Sequence, residues 1–165
     1  MKYFAYGSNM FQQRLKKRVP SANFISIAVL SGYTLKFHKQ SQDNSGKCNI
    51  LETNNPKDTV YGVIFEFDSL ERGNLDESEG LGRGYHEECV ELLSNGDNIK
   101  AVTFIADANF IDDSLTPYTW YKDFVVEGAK QNLLPLEYIA FLESFTAQSD
   151  PDKAREARNR KILKS

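Results

Sequence analysis

An α+β fold, a small and mostly antiparallel β-barrel with flanking helices, is the architecture this sequence predicts, and three observations carry it. Strand-like segments, apolar or alternating and bounded by turn residues, recur from residue 2 to residue 106. Helical periodicity falls between and after them, most clearly beyond residue 118. No internal repeat and no long linker divides the 165 residues, a length at which one core buries about two-thirds of the unfolded surface.

In chain order, residues 2–5 read as a strand and residues 9–18 as a helix closed by Pro20. Residues 25–29 and 33–37 read as two strands bending at Gly32, and the polar stretch 40–46 as a loop before a short strand at 49–51. Residues 59–67 form the strongest strand signal in the chain. A helix is expected from Ser69, as N-cap, to about Glu79, with the Gly80-Leu81-Gly82-Arg83-Gly84 run as a flexible connection. Strands at 85–93 and 99–106 are joined by Ser94-Asn95-Gly96-Asp97, whose turn chemistry makes a hairpin, for six or seven strands in all. Helices follow at 118–130 and, after Pro135, at 136–145, where Leu136, Ile139, Leu142 and Phe145 share a face suited to core packing. Residues 1–150 are expected to form a single catalytic domain, and Pro151 to open a basic carboxy-terminal helix or tail over 151–165.

Composition narrows the function classes. The chain is 41% hydrophobic and 26% charged, in the ordinary globular range. Cys48 and Cys89 form no C-x-x-C pair and read as small buried thiols of a reducing compartment. No signal-peptide pattern follows Met1 and no apolar run approaches the roughly 18 residues of a membrane span, so a cytoplasmic protein without a membrane partner is expected. The tail carries Lys153, Arg155, Arg158, Arg160, Lys161 and Lys164 against Asp152 and Glu156. Lacking interleaved aromatics, it reads as a solvated helix face and not as a nucleic-acid site.

His38 and His86, surface or partly buried histidines on this reading, have no partner at a metal-ligand spacing, so no metal is expected. Ser8 lacks the second glycine of a G-x-S-x-G elbow. The Gly80–84 run lacks the G-x-G-x-x-G spacing and leads into a strand, which disfavours a nucleotide cofactor. With no cofactor expected, the chemistry left is acid–base work and positioning.

Two segments suit it. Tyr3-Phe4-Ala5-Tyr6-Gly7-Ser8-Asn9-Met10 runs from a short buried strand through a glycine turn into a helix. Unpaired amides at such a turn bind a carboxylate or a developing oxyanion, although the same pattern also serves as a plain structural joint. Leu75-Asp76-Glu77-Ser78-Glu79-Gly80 sets three carboxylates at a helix end. There the dipole opposes negative charge, and a loop folding Glu79 inward would raise its pKa further toward that of a useful base.

These segments resemble the amino-terminal signature and the catalytic-glutamate segment of the γ-glutamylcyclotransferase family. Tyr121-Lys122, Gly128-Ala129-Lys130 and Leu134-Pro135-Leu136-Glu137-Tyr138 are similar to its carboxy-terminal pattern, and Gly32 to Phe37 with Tyr61-Gly62-Val63 to its early strands. The resemblance implies the γ-glutamylcyclotransferase-like fold and a cavity in which Tyr6, Gly7, Ser8 and Asn9 hold a γ-glutamyl group. It implies Glu79 as general acid/base facing the α-amine, and Tyr85 and Tyr121 as further substrate-binding aromatics. It also implies a small γ-glutamyl compound as partner and is compatible with a homodimer. A γ-glutamylamine or related γ-glutamyl-removing enzyme, and a non-catalytic ligand-binding module, are the alternatives. Tyr6-Gly7-Ser8-Asn9 resembles the branch acting on γ-glutamyl amino acids more than the glutathione-directed variants.

Overall fold

A computed structural model describes residues 1–79 and 84–165, with the backbone alone for Ser78 and Glu79. Among the described residues there are seven strands: β1 (Lys2–Ala5), β2 (Asn23–Ser31), β3 (Tyr33–Gln40), β4 (Gly46–Glu52), β5 (Thr59–Glu66), β6 (Tyr85–Ser94) and β7 (Asp97–Ala106). Five of them close a barrel in the order β1-β5-β2-β6-β7, while β3 and β4 form a separate two-stranded sheet. All barrel pairings are antiparallel except the closing one, where Tyr3 of β1 meets Val102 of β7 in parallel. The expected α+β barrel is therefore the observed architecture.

Core packs against both faces of β5, since the consecutive residues Val63 and Ile64 point opposite ways and are both buried. Phe4, Val60, Val63 and Ile64 are fully buried, and each such side chain contributes about 1.5–3 kcal/mol of burial. Gly62 leaves β5 room for β1: a Cβ there would lie 2.5 Å from the Ala5 carbonyl and 2.6 Å from the Phe4 ring. The β6–β7 hairpin turns on Asn95 and Gly96, both at positive φ, the two-residue geometry that matches strand twist.

The helices are α1 (Gln12–Arg18), α2 (Arg72–Glu79), α3 (Thr119–Gln131), α4 (Leu136–Ser144) and α5 (Lys153–Leu163), with single 3-10 turns at Ser8–Met10, Ser69–Glu71 and Ala108–Phe110. Helix α3 buries Trp120, Tyr121, Phe124, Val125 and Ala129 against the core. Among the described residues no helix is long and apolar enough to cross a membrane.

Several sequence expectations are corrected. The first helix does not run from Asn9: Phe11 is extended, at φ −75 and ψ 106, and splits it. Asp68, not Ser69, caps the 3-10 turn before α2, accepting from Leu70 N at 2.9 Å; its carboxylate is the stronger acceptor. Strands β3 and β4 run longer than expected because they pair with each other. Leu136 is 83% exposed, so the packed face of α4 rests on Tyr138, Ile139 and Leu142. Cys48 is buried but Cys89 is exposed, since it lies on the outward face of β6. His38 is buried, not superficial: Nδ1 lies 2.8 Å from the Asp113 carboxylate and Nε2 3.0 Å from Asn49 Nδ2. Asn49 Oδ1 accepts from Ala106 N at 2.8 Å, tying β4 to the barrel.

The basic segment is docked. Arg155 forms two hydrogen bonds with Asp150, at 2.6 and 2.7 Å, and Arg160 pairs with Asp123 at 3.0 Å. Ile162 and Leu163 pack against the core.

Candidate active site

Strand β1 lies between β5 and β7, so the chain leaving Ala5 emerges at one end of the barrel. Gly7 precedes the turn at φ −114 and ψ −144, and Ser8–Met10 form one 3-10 turn closed by Met10 N to Gly7 O at 3.0 Å. The turn is not followed directly by a helix because tertiary contacts hold Phe11 out. The Phe11 ring sits 5.6 Å from that of Phe124, and a Cβ on Gly128 of α3 would lie 2.7 Å from Phe11 N. Asn132 Nδ2 donates to Met10 O at 2.8 Å. A three-residue turn lacks an α-helix macrodipole, so any anion binding here depends on the local amides and side chains alone.

Those side chains are held from α1. Arg14 Nε donates to Ser8 Oγ at 3.2 Å and Arg18 Nη1 to Asn9 Oδ1 at 2.9 Å, while Asn9 Nδ2 donates to the Tyr3 hydroxyl at 3.2 Å. A guanidinium only donates, so the Ser8 hydroxyl hydrogen is left to point elsewhere.

Tyr85 and Tyr121 come from β6 and α3 and meet at one residue of β4. The Tyr85 hydroxyl donates to the Cys48 carbonyl at 2.6 Å, and Cys48 N–H donates to the Tyr121 hydroxyl at 3.2 Å. The Tyr6 hydroxyl donates to the Phe104 carbonyl. The result is a small cleft whose wall includes Tyr6, Gly7, Ser8, Asn9, Tyr85 and Tyr121. All six residues expected to bind substrate thus face one space, and all but Gly7 are at most 7% exposed.

Glu79 is the last residue of α2, and its side chain, like the Gly80–83 part of the expected flexible connection, lies outside the described residues. Glu77, two residues earlier, lines a second, wider chamber adjoining the first.

Sequence reasoning missed several residues of these walls. Cys48 works through its backbone, which no side-chain pattern reveals. Lys39 and Lys47 flank the turn-rich segment 41–45 and reach the site only because β3 and β4 fold over the barrel end. Arg14 and Arg18, four residues apart on α1, carried the one readable signal, a shared helix face. Lys47 Nζ lies 2.7 Å from Asp43 and from 4.6 to 5.6 Å from the ring centroids of Tyr121, Trp120 and Tyr118. Burial pushes the Lys47 ammonium below its usual range, and its bond to Asp43 only partly offsets that. Asp43 is itself held below the usual carboxylate range, because its bonds to Lys47 and Ser45 outweigh the opposing effect of burial.

The closed barrel carries a polar cleft at the end of its first strand, and residues 59–142 match the AIG2-like family. Gamma-glutamylcyclotransferase of Bos taurus is 33% identical over 159 residues, spanning 93% of this chain and 83% of that protein. The Homo sapiens gamma-glutamylcyclotransferase is 35% identical over 143 residues, 82% of this chain and 73% of that one. A solved structure of a gamma-glutamyl cyclotransferase superimposes with a TM-score of 0.87 at 30% identity, covering 100% of this chain and 99% of that chain. The chain belongs to the γ-glutamylcyclotransferase family of enzymes.

Proposed function

We propose that this protein cyclises the γ-glutamyl group of γ-glutamyl amino acids to 5-oxoproline and releases the amino acid, with Glu79 as general acid and base. The observation that carries the reading is the convergence of Tyr6, Gly7, Ser8, Asn9, Tyr85 and Tyr121 on one cavity. Helix α2, which ends at Glu79, borders the adjoining chamber through Glu77.

The substrate's α-amine has an ordinary pKa of about 8, so near neutral pH it is mostly protonated and cannot attack. Glu79 removes a proton. The nitrogen then adds to the γ-carbonyl carbon of the same molecule, a step in which correct orientation lowers the barrier by about 7–11 kcal/mol. The amide bond to the leaving amino acid breaks as the lactam bond forms. Two protons pass in all from the attacking to the departing nitrogen, with Glu79 as carrier and no net proton consumed. Donors along Tyr6 to Asn9 stabilise the oxyanion of the tetrahedral intermediate.

Release of 5-oxoproline from γ-glutamyl dipeptides, with wild type and Glu79→Gln assayed together, tests this. Glu79→Gln is expected to reduce turnover by at least about a hundredfold, in line with loss of a general base, and to retain substrate binding. Undiminished turnover in that variant removes Glu79 from the role.

A further inference from the structure

Behind the wall that carries Tyr85 and Tyr121, a chain of polar contacts runs from the surface at Asp113 into the core, and the proposed reaction does not use it. Between the pairs Lys36–Asn49 and Lys39–Lys47, two residues of β3, Phe37 and His38, face the single residue Cys48 of β4. Through this irregularity three consecutive residues, Phe37, His38 and Lys39, are buried, where a regular pleat would turn every second side chain to the other face. His38 thereby reaches Asn49, which is 1% exposed, and Asp113 on the segment after β7, where Asp112 N also donates to the His38 carbonyl at 2.9 Å. The hydrogen bonds fix which atoms carry protons. Ala106 N can only donate, so the atom of Asn49 facing it is Oδ1, and Asn49 turns its NH2 to His38 Nε2 at 3.0 Å. Nε2 therefore accepts. The ring proton sits on Nδ1 and is donated to Asp113 Oδ1 at 2.8 Å. This bond, with the Lys36 ammonium, holds the Asp113 carboxyl below the usual carboxylate range.

We propose that Asp113, His38 and Asn49 form a positioning relay for the substrate tyrosines. The inference rests on the proposed substrate site and deepens it. Asn49 follows Cys48, whose carbonyl accepts from the Tyr85 hydroxyl at 2.6 Å and whose N–H donates to the Tyr121 hydroxyl at 3.2 Å. Asn49 Oδ1 takes the N–H of Ala106, the residue paired with Tyr85 across the β6–β7 hairpin. Tyr85 is thus fixed from both ends, its backbone through Ala106 and its hydroxyl through Cys48. Rotation of the Asn49 amide would set its NH2 against Ala106 N. By accepting at Nε2, His38 holds the amide the right way round, and Asp113 keeps the ring in the tautomer that accepts. Loss of the relay lets β4 shift at Cys48 and carries both tyrosine hydroxyls with it.

The test uses γ-glutamylalanine. Its kcat and KM are measured for the wild type, His38→Leu and His38→Gln, and its affinity by calorimetry on Glu79→Gln with and without the same changes. His38→Leu, which offers the Asn49 NH2 no acceptor, is expected to raise KM and weaken affinity at least about fivefold while changing kcat less than about twofold. A residue serving stability alone would lower the active fraction, and so the apparent kcat, with KM unmoved. His38→Gln, whose Oε1 takes the role of Nε2, should bring KM back to within about twofold of the wild type. An unchanged KM in His38→Leu, or a KM raised equally by leucine and glutamine, overturns the proposal. Should His38→Leu fail to fold, nitrogen NMR of the wild-type histidine rings decides, with His38 told from His86 by the loss of its signals in His38→Gln. A proton on Nδ1 alone is expected at about pH 7.5, and a proton on Nε2, or on both nitrogens, overturns the relay. A wild type that releases no 5-oxoproline while the affinities follow the expected order refutes the proposed reaction and upholds the relay, whereas no binding of γ-glutamylalanine overturns both.

Discussion

Replacing Asp150 by asparagine should destabilise the protein far more than an ordinary surface change, because a single buried carboxylate ties three segments together. Asp150 is fully buried. One of its oxygens accepts from Arg155 Nη2 at 2.6 Å and Asp152 N at 2.8 Å, the other from Arg155 Nε at 2.7 Å and Trp120 Nε1 at 2.8 Å. The Arg155 guanidinium holds this carboxyl well below the usual carboxylate range. Asparagine keeps one acceptor oxygen and turns an NH2 toward two donors, leaving a guanidinium that is only 26% exposed without its counter-charge. Breaking such a pair from one side costs about 3–5 kcal/mol. At about 2–4 °C per kcal/mol for a chain of this size, Tm should fall by roughly 6–20 °C. Trp120 is the single tryptophan, so its fluorescence during denaturant unfolding reports on the bond being removed. Arg155→Met completes a double-mutant cycle, in which the two losses should fall short of additivity by more than about 1 kcal/mol. A loss below about 1 kcal/mol for Asp150→Asn, or strict additivity, refutes the assignment.

Acid should weaken the fold through the same group and through Asp43. Both carboxyls are depressed in the folded state. The unfolded chain therefore takes up protons first, near its ordinary value of about 3.9, and their contribution, present above that value, is lost as pH falls through the folded pKa values. Denaturant unfolding should give similar stability at about pH 7 and 5.5 and a steady fall below about 4.5, and a flat profile down to about pH 3 would contradict it. Gly128→Ala should cost about 1–3 kcal/mol and impair turnover together, because the new methyl would meet Phe11 N at 2.7 Å and Met10 Cβ at 2.8 Å beneath the Ser8–Met10 turn. Thermal unfolding and 5-oxoproline release check the pair, and full activity in a destabilised variant would show that the turn does not depend on α3. Tyr85→Phe leaves the buried Cys48 carbonyl without the Tyr85 donor, and about 1–3 kcal/mol of stability should be lost with a raised KM.

The barrel was legible in the sequence because its strands are marked by local signals: β-branched and aromatic runs, the Asn95-Gly96 turn and the Gly32 bend. Turn and period rules act within a few residues, so they survive without knowledge of the fold. The six cavity residues were also named in advance, carried by a resemblance to a known family in the Tyr3 to Met10 and Tyr121 segments and in the aromatic that follows the glutamate, Tyr85.

Local rules failed where distant contacts prevail. Nothing near Phe11 announces a break, since it is imposed by Phe124 and Gly128 more than a hundred residues away. Leu136 follows the periodicity of α4, yet the core lies under Tyr138, Ile139 and Leu142. His38 is buried because β3 lies against Asn49 and Asp113, and the basic tail is docked because Asp150 and Asp123 face Arg155 and Arg160. The chain by itself determined which segments become strands and helices and which residue types could do acid–base chemistry. Only the tertiary structure decided that Cys48 would anchor two tyrosines and that two lysines would stand over their rings, because hydrogen bonds and cation–ring contacts are set by where backbones cross, and crossings are not written in any one stretch of sequence.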